Sequence, residues 1–172
     1  MQADRTEKRV VIRFDGSYWY FQPPATRPGP RAHVANGNPL DVNIHSENFM
    51  PLMMEANQNL ATAIRTSRCR EVQVAIENRD NWPGRIAIGV VLTDSASAGK
   101  PTLYLGQRPV VSSLPDHFTQ KTAPVEETLR FPLPSRPAMR RFDEITLIVV
   151  TEVGHTETGA RIAVQQLEFL PR

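Results

Sequence analysis

Apolar and polar residues alternate in short runs along most of the chain. The run EVQVAIEN (residues 71–78) carries valine or isoleucine at alternate positions, and RIAIGVVLTD (residues 85–94) carries isoleucine, valine or leucine in the same way. A period of two is that of a β-strand, whose successive side chains point to opposite faces of the sheet. A Pro-Gly pair lies in the connection, residues 79–84, so these two runs are predicted to form a β-hairpin.

Shorter runs of the same kind predict further strands. They cover residues 8–14, 18–21, 40–45, 102–105, 109–112, 127–133, 142–151 and 161–170. The run at 142–151 is longer and more apolar than most of the others, which is typical of a central strand. In the last run the alternation changes phase at Gln165–Gln166, and this predicts a β-bulge.

Residues 50–64 (MPLMMEANQNLATAI) have two interpretations. An amphipathic helix would use Met53, Asn57, Leu60 and Ile64 as its buried face. A strand over residues 51–56, followed by a loop and a second strand, fits equally well. We favour the strand, because the neighbouring segments are β and no capping box precedes the segment.

Proline supports an all-β reading. The chain has 15 prolines against 9 glycines, spread so that few stretches could hold a long helix. The Pro-rich residues 22–39 predict a long loop or extended strap. We therefore expect an all-β, single-domain, two-sheet antiparallel β-sandwich of the jelly-roll type, with few or no helices, over residues 8–172 after a flexible N-terminus at residues 1–7.

Composition narrows the classes of function. The hydrophobic fraction is 40% and the net charge is +2, so we expect a globular domain and no nucleic-acid partner. The single cysteine, Cys69, excludes an internal disulfide and a cysteine-based zinc site. Its arginine neighbours, Arg68 and Arg70, would lower the pKa of an exposed thiol. The four histidines lack metal-binding spacing, so we expect no metal and no cofactor.

No sequence motif for catalysis or membrane insertion is present. Nucleophile elbows and glycine-rich phosphate loops are missing, and we expect a protein that is not an enzyme. No apolar run has the roughly 18 residues of a membrane span, and the first residues do not resemble a signal peptide. We expect no direct membrane insertion. The sequence assigns no cellular compartment, and it is compatible with an exported or membrane-anchored parent protein.

The order of segments in the second half carries a resemblance. An alternating strand that ends in Asn-Arg-Asp is followed by a return strand, then ETLRFPLP, then RRFDEITLIVV, and finally the closing RIAVQQLEFLPR. This pattern, over residues 69–172, resembles galactose-binding-like jelly-roll domains, which include many carbohydrate-binding modules. The resemblance implies a β-sandwich that binds sugars or other small ligands at its loops or on its concave face. Many members hold a structural calcium ion, but this chain has Gln165–Gln166 where acidic residues are common.

Two groups of residues have the chemistry of a sugar site, which combines flat aromatic faces with a few polar groups. The first is the 79–85 connection, where Trp82 is flanked by Asp80, Asn81 and Arg85. The second is the aromatic run at residues 18–21. There Tyr18 and Tyr20 would form an outward stacking surface if Trp19 and Phe21 were buried, whereas the alternative is that the aromatics only pack. Tyr104 is a further stacking candidate.

We therefore predict a non-catalytic ligand-binding module for carbohydrate or a similar polar ligand. The alternative is a structural or protein-interaction domain of a larger assembly without a small ligand, in which the aromatics are core and the 22–39 strap covers a sheet edge. The basic cluster formed by Arg130, Arg136, Arg140 and Arg141 could meet an acidic partner or an anionic sugar, or be a solvated surface.

Overall fold

A computed structural model describes residues 8–21, 33–35, 39–41, 52–81, 84–117, 119, 123–151 and 160–172. In these ranges the chain forms ten strands and four short 3-10 turns. The strands are β1 (Val10–Arg13), β2 (Ser17–Phe21), β3 (His33–Ala35), β4 (Met53–Arg65), β5 (Cys69–Asn78), β6 (Ile86–Thr93), β7 (Thr102–Pro109), β8 (Val125–Pro132), β9 (Arg141–Thr151) and β10 (Ile162–Pro171).

The strands form two antiparallel sheets. The four-stranded sheet has the order β1-β10-β5-β8, and the six-stranded sheet has the order β3-β2-β4-β9-β6-β7. Strands β2, β4, β5, β6, β8, β9 and β10 turn side chains inward, so valines, isoleucines and phenylalanines of both sheets meet in one core. The predicted all-β, two-sheet antiparallel sandwich is therefore confirmed. The apolar run at 142–151 is β9, which lies centrally in the six-stranded sheet as predicted.

The predicted hairpin between residues 71–78 and 85–94 is wrong. The first run, β5, lies between β10 and β8, whereas the second run, β6, lies between β9 and β7 in the other sheet. Two alternating runs with a turn between them fit a connection within one sheet or across the sandwich equally well. The 79–85 connection takes the second course, because the strands before and after it lie in different sheets.

The ambiguous segment at residues 50–64 is a strand where the structure describes it, whereas residues 50 and 51 lie outside the described residues. From residue 53 onward it forms β4, whose pairing with β9 is interrupted between Asn59 and Ile64. Ala61 has a positive φ of 58° at the interruption. The favoured strand interpretation holds, with an irregular passage inside one long strand instead of two separate strands.

Two other predictions concern bends and loops. The register of β10 shifts between Val164 and Gln166, so the predicted bulge is confirmed.

The predicted strand at 40–45 is wrong at its start, because Pro39–Asp41 form a 3-10 turn, and the rest of it lies outside the described residues. Within the Pro-rich passage, His33–Ala35 add an edge strand to β2. Residues 22–32 and 36–38 of this passage lie outside the described residues, as do residues 1–7.

Candidate functional site

A buried polar network holds the base of the 79–85 loop. Asn78 ends β5 fully buried, accepts a hydrogen bond from the Asp80 backbone N–H at 2.9 Å and donates one to the Ser112 hydroxyl at 2.7 Å. The Ser112 hydroxyl in turn donates to a carboxylate oxygen of Glu127 at 2.6 Å. The Ser113 hydroxyl accepts from the Ile86 N–H at 3.0 Å. These bonds fix both ends of the loop.

The loop divides the four residues predicted there. Asn81 and Arg85 are exposed, whereas Asp80 is only 2% exposed. The local reason is that the backbone of Asp80 is bonded to buried Asn78, which draws this position into the end of the sandwich. Trp82 lies outside the described residues. Asn81 and Arg85 remain predictions as ligand-binding residues, and Asp80 would need the loop to open before it met a ligand.

The aromatic run of β2 faces opposite to the predicted stacking surface. Tyr18 and Tyr20 are the buried pair, at 6% and 4% exposure, while Trp19 and Phe21 are half-buried on the other face. Burial raises the pKa of Tyr18 and of Tyr20 to about 12. The idea that these two tyrosines form an exposed stacking surface is thus wrong.

The hydroxyl of Tyr18 explains this orientation. It accepts a hydrogen bond from the Val164 N–H at 3.0 Å and donates to the Val164 carbonyl at 3.3 Å. Both partner groups belong to the bulge of β10, in the opposite sheet, where the ladder is locally disrupted. Phe14 packs beside the Tyr18 ring, with ring centroids 5.2 Å apart. The ring of Tyr18 therefore lies between the two sheets, and Trp19 lies on the opposite face of β2.

Trp19 begins a row of side chains across the outer face of the six-stranded sheet, the face that points away from the four-stranded sheet. In the strand register Trp19 lies opposite Glu55, Glu55 opposite Ile148, and Ile148 opposite Gly89. Four neighbouring strands contribute to the row. At about 4.8 Å per strand, Trp19 and Gly89 lie about 14 Å apart.

Tyr104 lies at the far end of this row. It is 55% exposed, the most exposed of the large apolar and aromatic side chains in the described residues. A Cβ atom added to Gly89 would lie 3.3 Å from Cε2 of Tyr104, 3.5 Å from its hydroxyl oxygen and 3.4 Å from Cγ of Gln107. The Tyr104 ring therefore rests over the backbone of Gly89 on the neighbouring strand, with more than half of the residue open to solvent.

Polar side chains occupy the outer face between Trp19 and Tyr104. Asn57 of β4 donates from Nδ2 to Glu144 Oε1 at 2.8 Å and to Thr146 Oγ1 at 2.9 Å, both on β9. Asn57 and Thr146 are direct partners in the register, and Ser17 of β2 lies on the other side of Asn57. The face thus combines two aromatic side chains with amide, hydroxyl and carboxylate groups held in fixed positions.

The loop and the outer face are separate candidate sites. Tyr104 pairs with Val91, which lies six residues beyond Arg85 along β6. At about 3.3 Å per residue that distance is about 20 Å. The prediction from sequence included Tyr104 but did not connect it with Trp19. Trp19 alternates with Tyr18 and Tyr20, so the sequence places it on the opposite face of the strand. The sequence does not show which of the two faces is buried.

Other chemistry on the described residues is limited. Cys69 is 2% exposed, and burial raises the pKa of its thiol to about 11 despite the flanking arginines. The sequence indicated a lowered pKa only for an exposed thiol, and this thiol is not exposed. Among the described ranges, no group of three histidine, cysteine or acidic side chains is arranged to hold a metal ion. In the same ranges no helix is long and apolar enough to span a membrane.

Comparison with known proteins gives similarity in fold alone. No protein-family model matches the chain, and no curated protein matches it in sequence. Among solved structures, it is similar to a low-affinity xylan-binding module, CBM86, from Roseburia intestinalis, with 9% identity, a TM-score of 0.42 and coverage of 96% of this chain and 97% of the module.

Two further structures show the same degree of likeness. The non-crystalline cellulose-specific module CBM28 has 6% identity and a TM-score of 0.45, with coverage of 74% of this chain and 69% of that one. The K2 cleaved adhesin domain of Lys-gingipain has 14% identity and a TM-score of 0.39, with coverage of 94% and 89%. Carbohydrate-binding modules are thus among the structural neighbours of this chain, as the resemblance in sequence implied.

Proposed function

We propose that this protein is a non-catalytic carbohydrate-binding module whose ligand lies across the outer face of the six-stranded sheet. One observation carries the proposal. Tyr104, 55% exposed over Gly89, shares this face with half-buried Trp19, whose backbone is about 14 Å from that of Gly89, and polar side chains lie between the two aromatic residues. The distance calls for an oligosaccharide, because one sugar ring would not bridge it.

The physical basis is the two-sided character of a sugar. The C–H groups on one face of a pyranose ring pack against an aromatic ring, while its hydroxyls require hydrogen-bond partners. Tyr104 and Trp19 supply the aromatic surfaces. Half-buried Asn57 and Glu144 supply polar atoms to the ligand, and the hydrogen bonds of Asn57 to Glu144 and to buried Thr146 already hold them in place, which reduces the entropy lost on binding.

The spacing of the carboxylates supports binding without hydrolysis. Glu55 and Glu144 both lie on the outer face, but Glu55 pairs with Ile148, four residues from Glu144. Their backbones are therefore about 13 Å apart along the strand. Glycosidases place their two carboxyl groups about 5–9.5 Å apart around the scissile bond. Glu55 is also only 9% exposed, so Glu144 is the carboxylate of this pair that is open to a sugar hydroxyl.

Isothermal titration calorimetry against a panel of soluble oligosaccharides tests the proposal. We expect binding by the wild-type chain, at least a tenfold loss of affinity for Tyr104→Ala and a comparable loss for Trp19→Ala. The matched control is Tyr104→Phe, which keeps the ring and is expected to keep most of the affinity. Circular dichroism checks that each variant is folded.

Trp82→Ala separates the outer face from the 79–85 loop. Unchanged affinity in this variant supports the outer face as the site. If Trp82→Ala abolishes binding while Tyr104→Ala does not, the loop is the site and the face is not. Absence of binding to every glycan in the panel would reject the carbohydrate proposal itself.

A further inference from the structure

A groove opens at the end of the sandwich remote from the 79–85 loop. It lies between the start of β1, the end of β10 and the end of β4, and it encloses about 520 Å³. Its floor is apolar and includes Val10, Ile64 and Leu170. A volume of this size accommodates a few side chains of a partner but not a folded domain.

All charged residues that line this groove are basic. They are Lys8, Arg65 and Arg68, all exposed, and among the described residues that line the groove there is no aspartate or glutamate. Arg65 also lies directly opposite Arg141 in the β4–β9 register, an arrangement in which like charges destabilise the sheet. The guanidinium of Arg141 lies 3.4 Å from the carboxylate of Asp94, outside the groove. An anion beside Arg65 would relieve the remaining repulsion.

One strand edge adjoins the groove. β1 is an edge of the four-stranded sheet and, in the described ranges, pairs with β10 alone. Its Val10 and Val11 are 38% and 47% exposed. An exposed edge of this kind is a template for another strand. The neighbouring residues 60–63 of β4 are the irregular passage around Ala61 and are not such an edge.

We propose that this groove binds an extended acidic peptide segment of a partner protein. The segment would direct its carboxylates to Lys8, Arg65 and Arg68 and its alternate apolar side chains to the floor, while its backbone pairs with an exposed strand edge. An acidic polysaccharide would satisfy the three cations but would use neither the strand edge nor the apolar floor. The peptide is therefore the occupant that accounts for all three features.

Amide chemical shifts of the ¹⁵N-labelled full chain provide the test. The probe is a library of acetylated hexapeptides in which glutamate alternates with an apolar residue, and the comparison library carries glutamine in place of glutamate. We expect shifts at residues 8–13 and 60–68 with the acidic library, and at least tenfold weaker binding with the glutamine library. Affinity is expected to fall as salt is raised from 50 to 500 mM, since charges drive the association.

Charge reversal supplies the variants. Arg65→Glu with Arg68→Glu is expected to weaken binding more than tenfold, and Arg65→Gln with Arg68→Gln covers the case in which charge reversal unfolds the chain. The matched control is Arg130→Glu, an exposed arginine on β8 at the other edge of the four-stranded sheet. Equal loss in the control would overturn the proposal.

Three further outcomes would also overturn it. These are no binding by the acidic library, equal binding by the glutamine library, and shifts produced at the groove by polygalacturonate but not by peptide. The last outcome would make the groove a site for acidic polysaccharide. None of these results bears on Tyr104 or Trp19, so the groove and the outer face of the six-stranded sheet are tested independently.

Discussion

The hydroxyl of Tyr18 joins the two sheets through both backbone polar groups of Val164. It accepts from the Val164 N–H at 3.0 Å and donates to the Val164 carbonyl at 3.3 Å, and both residues are buried. A bulge in β10 begins at Val164, where the pairing with β5 shifts register. A side chain from one sheet thus supplies hydrogen bonds to backbone groups at a position where the strand pairing of the other sheet is disrupted.

Removal of this hydroxyl should destabilise the fold. Tyr18→Phe leaves the N–H and carbonyl of Val164 without this partner in a buried position, and we expect the free energy of unfolding to fall by about 1–3 kcal/mol. Urea denaturation followed by circular dichroism measures the change. Tyr104→Phe makes the same chemical change on an exposed residue and should stay within about 0.5 kcal/mol of wild type. Equal effects of the two substitutions would contradict the role of the Tyr18 hydroxyl.

The fold class could be predicted from the sequence, but the pairing of strands could not. Alternation reports that a segment is half-buried and extended, and this identified β5, β6, β9 and β10. It does not report which sheet a strand joins, so β5 and β6 were assigned to one hairpin although they lie in different sheets. The bulge at Gln165–Gln166 was predictable because a phase change is visible within a single strand.

The candidate site was less predictable for a related reason. The four consecutive aromatic residues in β2 do not show which face of the strand is buried, since both faces are apolar. The phase is fixed by the bond from Tyr18 to Val164, which lies 146 positions away in the chain. Contact between Tyr104 and Gly89 likewise depends on the β6–β7 register, which shifts between Gly89 and Val91. No local pattern marks either relationship.

The two buried tyrosines predict a loss of stability at alkaline pH. The pKa of Tyr18 and of Tyr20 is raised by burial to about 12, above the ordinary value of 10.0. The folded state therefore holds these protons more tightly than the unfolded state. The two tyrosines therefore contribute fully to the free energy of unfolding below pH 10, and this contribution is lost as the pH rises from 10 towards 12. Urea unfolding at pH 8, 10 and 11 should show this decline.

The control for the alkaline decline separates tyrosine from cysteine. The pKa of Cys69 is also raised, from 9.0 to about 11, and shifts stability in the same direction over pH 9–11. Measurements in a Cys69→Ala background remove that contribution. Absorbance at 295 nm should then show tyrosine ionisation in step with unfolding. Stability that stays constant or increases between pH 10 and 11 would contradict the prediction.

Cys69 itself should be unreactive in the native protein. Its side chain is 2% exposed and its thiol keeps its proton at neutral pH, so we expect reaction with Ellman's reagent at the rate at which the fold opens. Guanidinium chloride should release one thiol per chain. In a Cys69→Ala background, Ser67→Cys places a thiol on an exposed position of the 66–68 turn and should react at once. Equally fast reaction of native Cys69 would show that it is accessible.

Gly16 is required by a close approach between two backbones. A Cβ atom at this position would lie 1.9 Å from the Asn57 carbonyl oxygen on β4, which is a contact with main chain that cannot move aside easily. We expect Gly16→Ala to lower the free energy of unfolding by about 3 kcal/mol, at the upper end of overpacking costs. Gly99→Ala is the comparison, since Gly99 has a φ of +74° and open space around it, and should cost about 1 kcal/mol. Similar losses for both would argue against the close approach.

Gly89 provides a way to perturb the proposed sugar surface without removing any aromatic ring. Gly89→Val introduces a Cβ 3.3 Å from the Tyr104 ring and 3.4 Å from Gln107, and because those are flexible side chains we expect the Tyr104 ring to move. Oligosaccharide affinity should fall about tenfold, while the free energy of unfolding changes by less than about 1 kcal/mol, since valine favours strands. Ala87→Val is the matched control, on the same face of β6 but opposite Pro109 instead of Tyr104. Retained affinity in Gly89→Val, or equal loss in Ala87→Val, would mean that the position of Tyr104 over Gly89 does not determine binding.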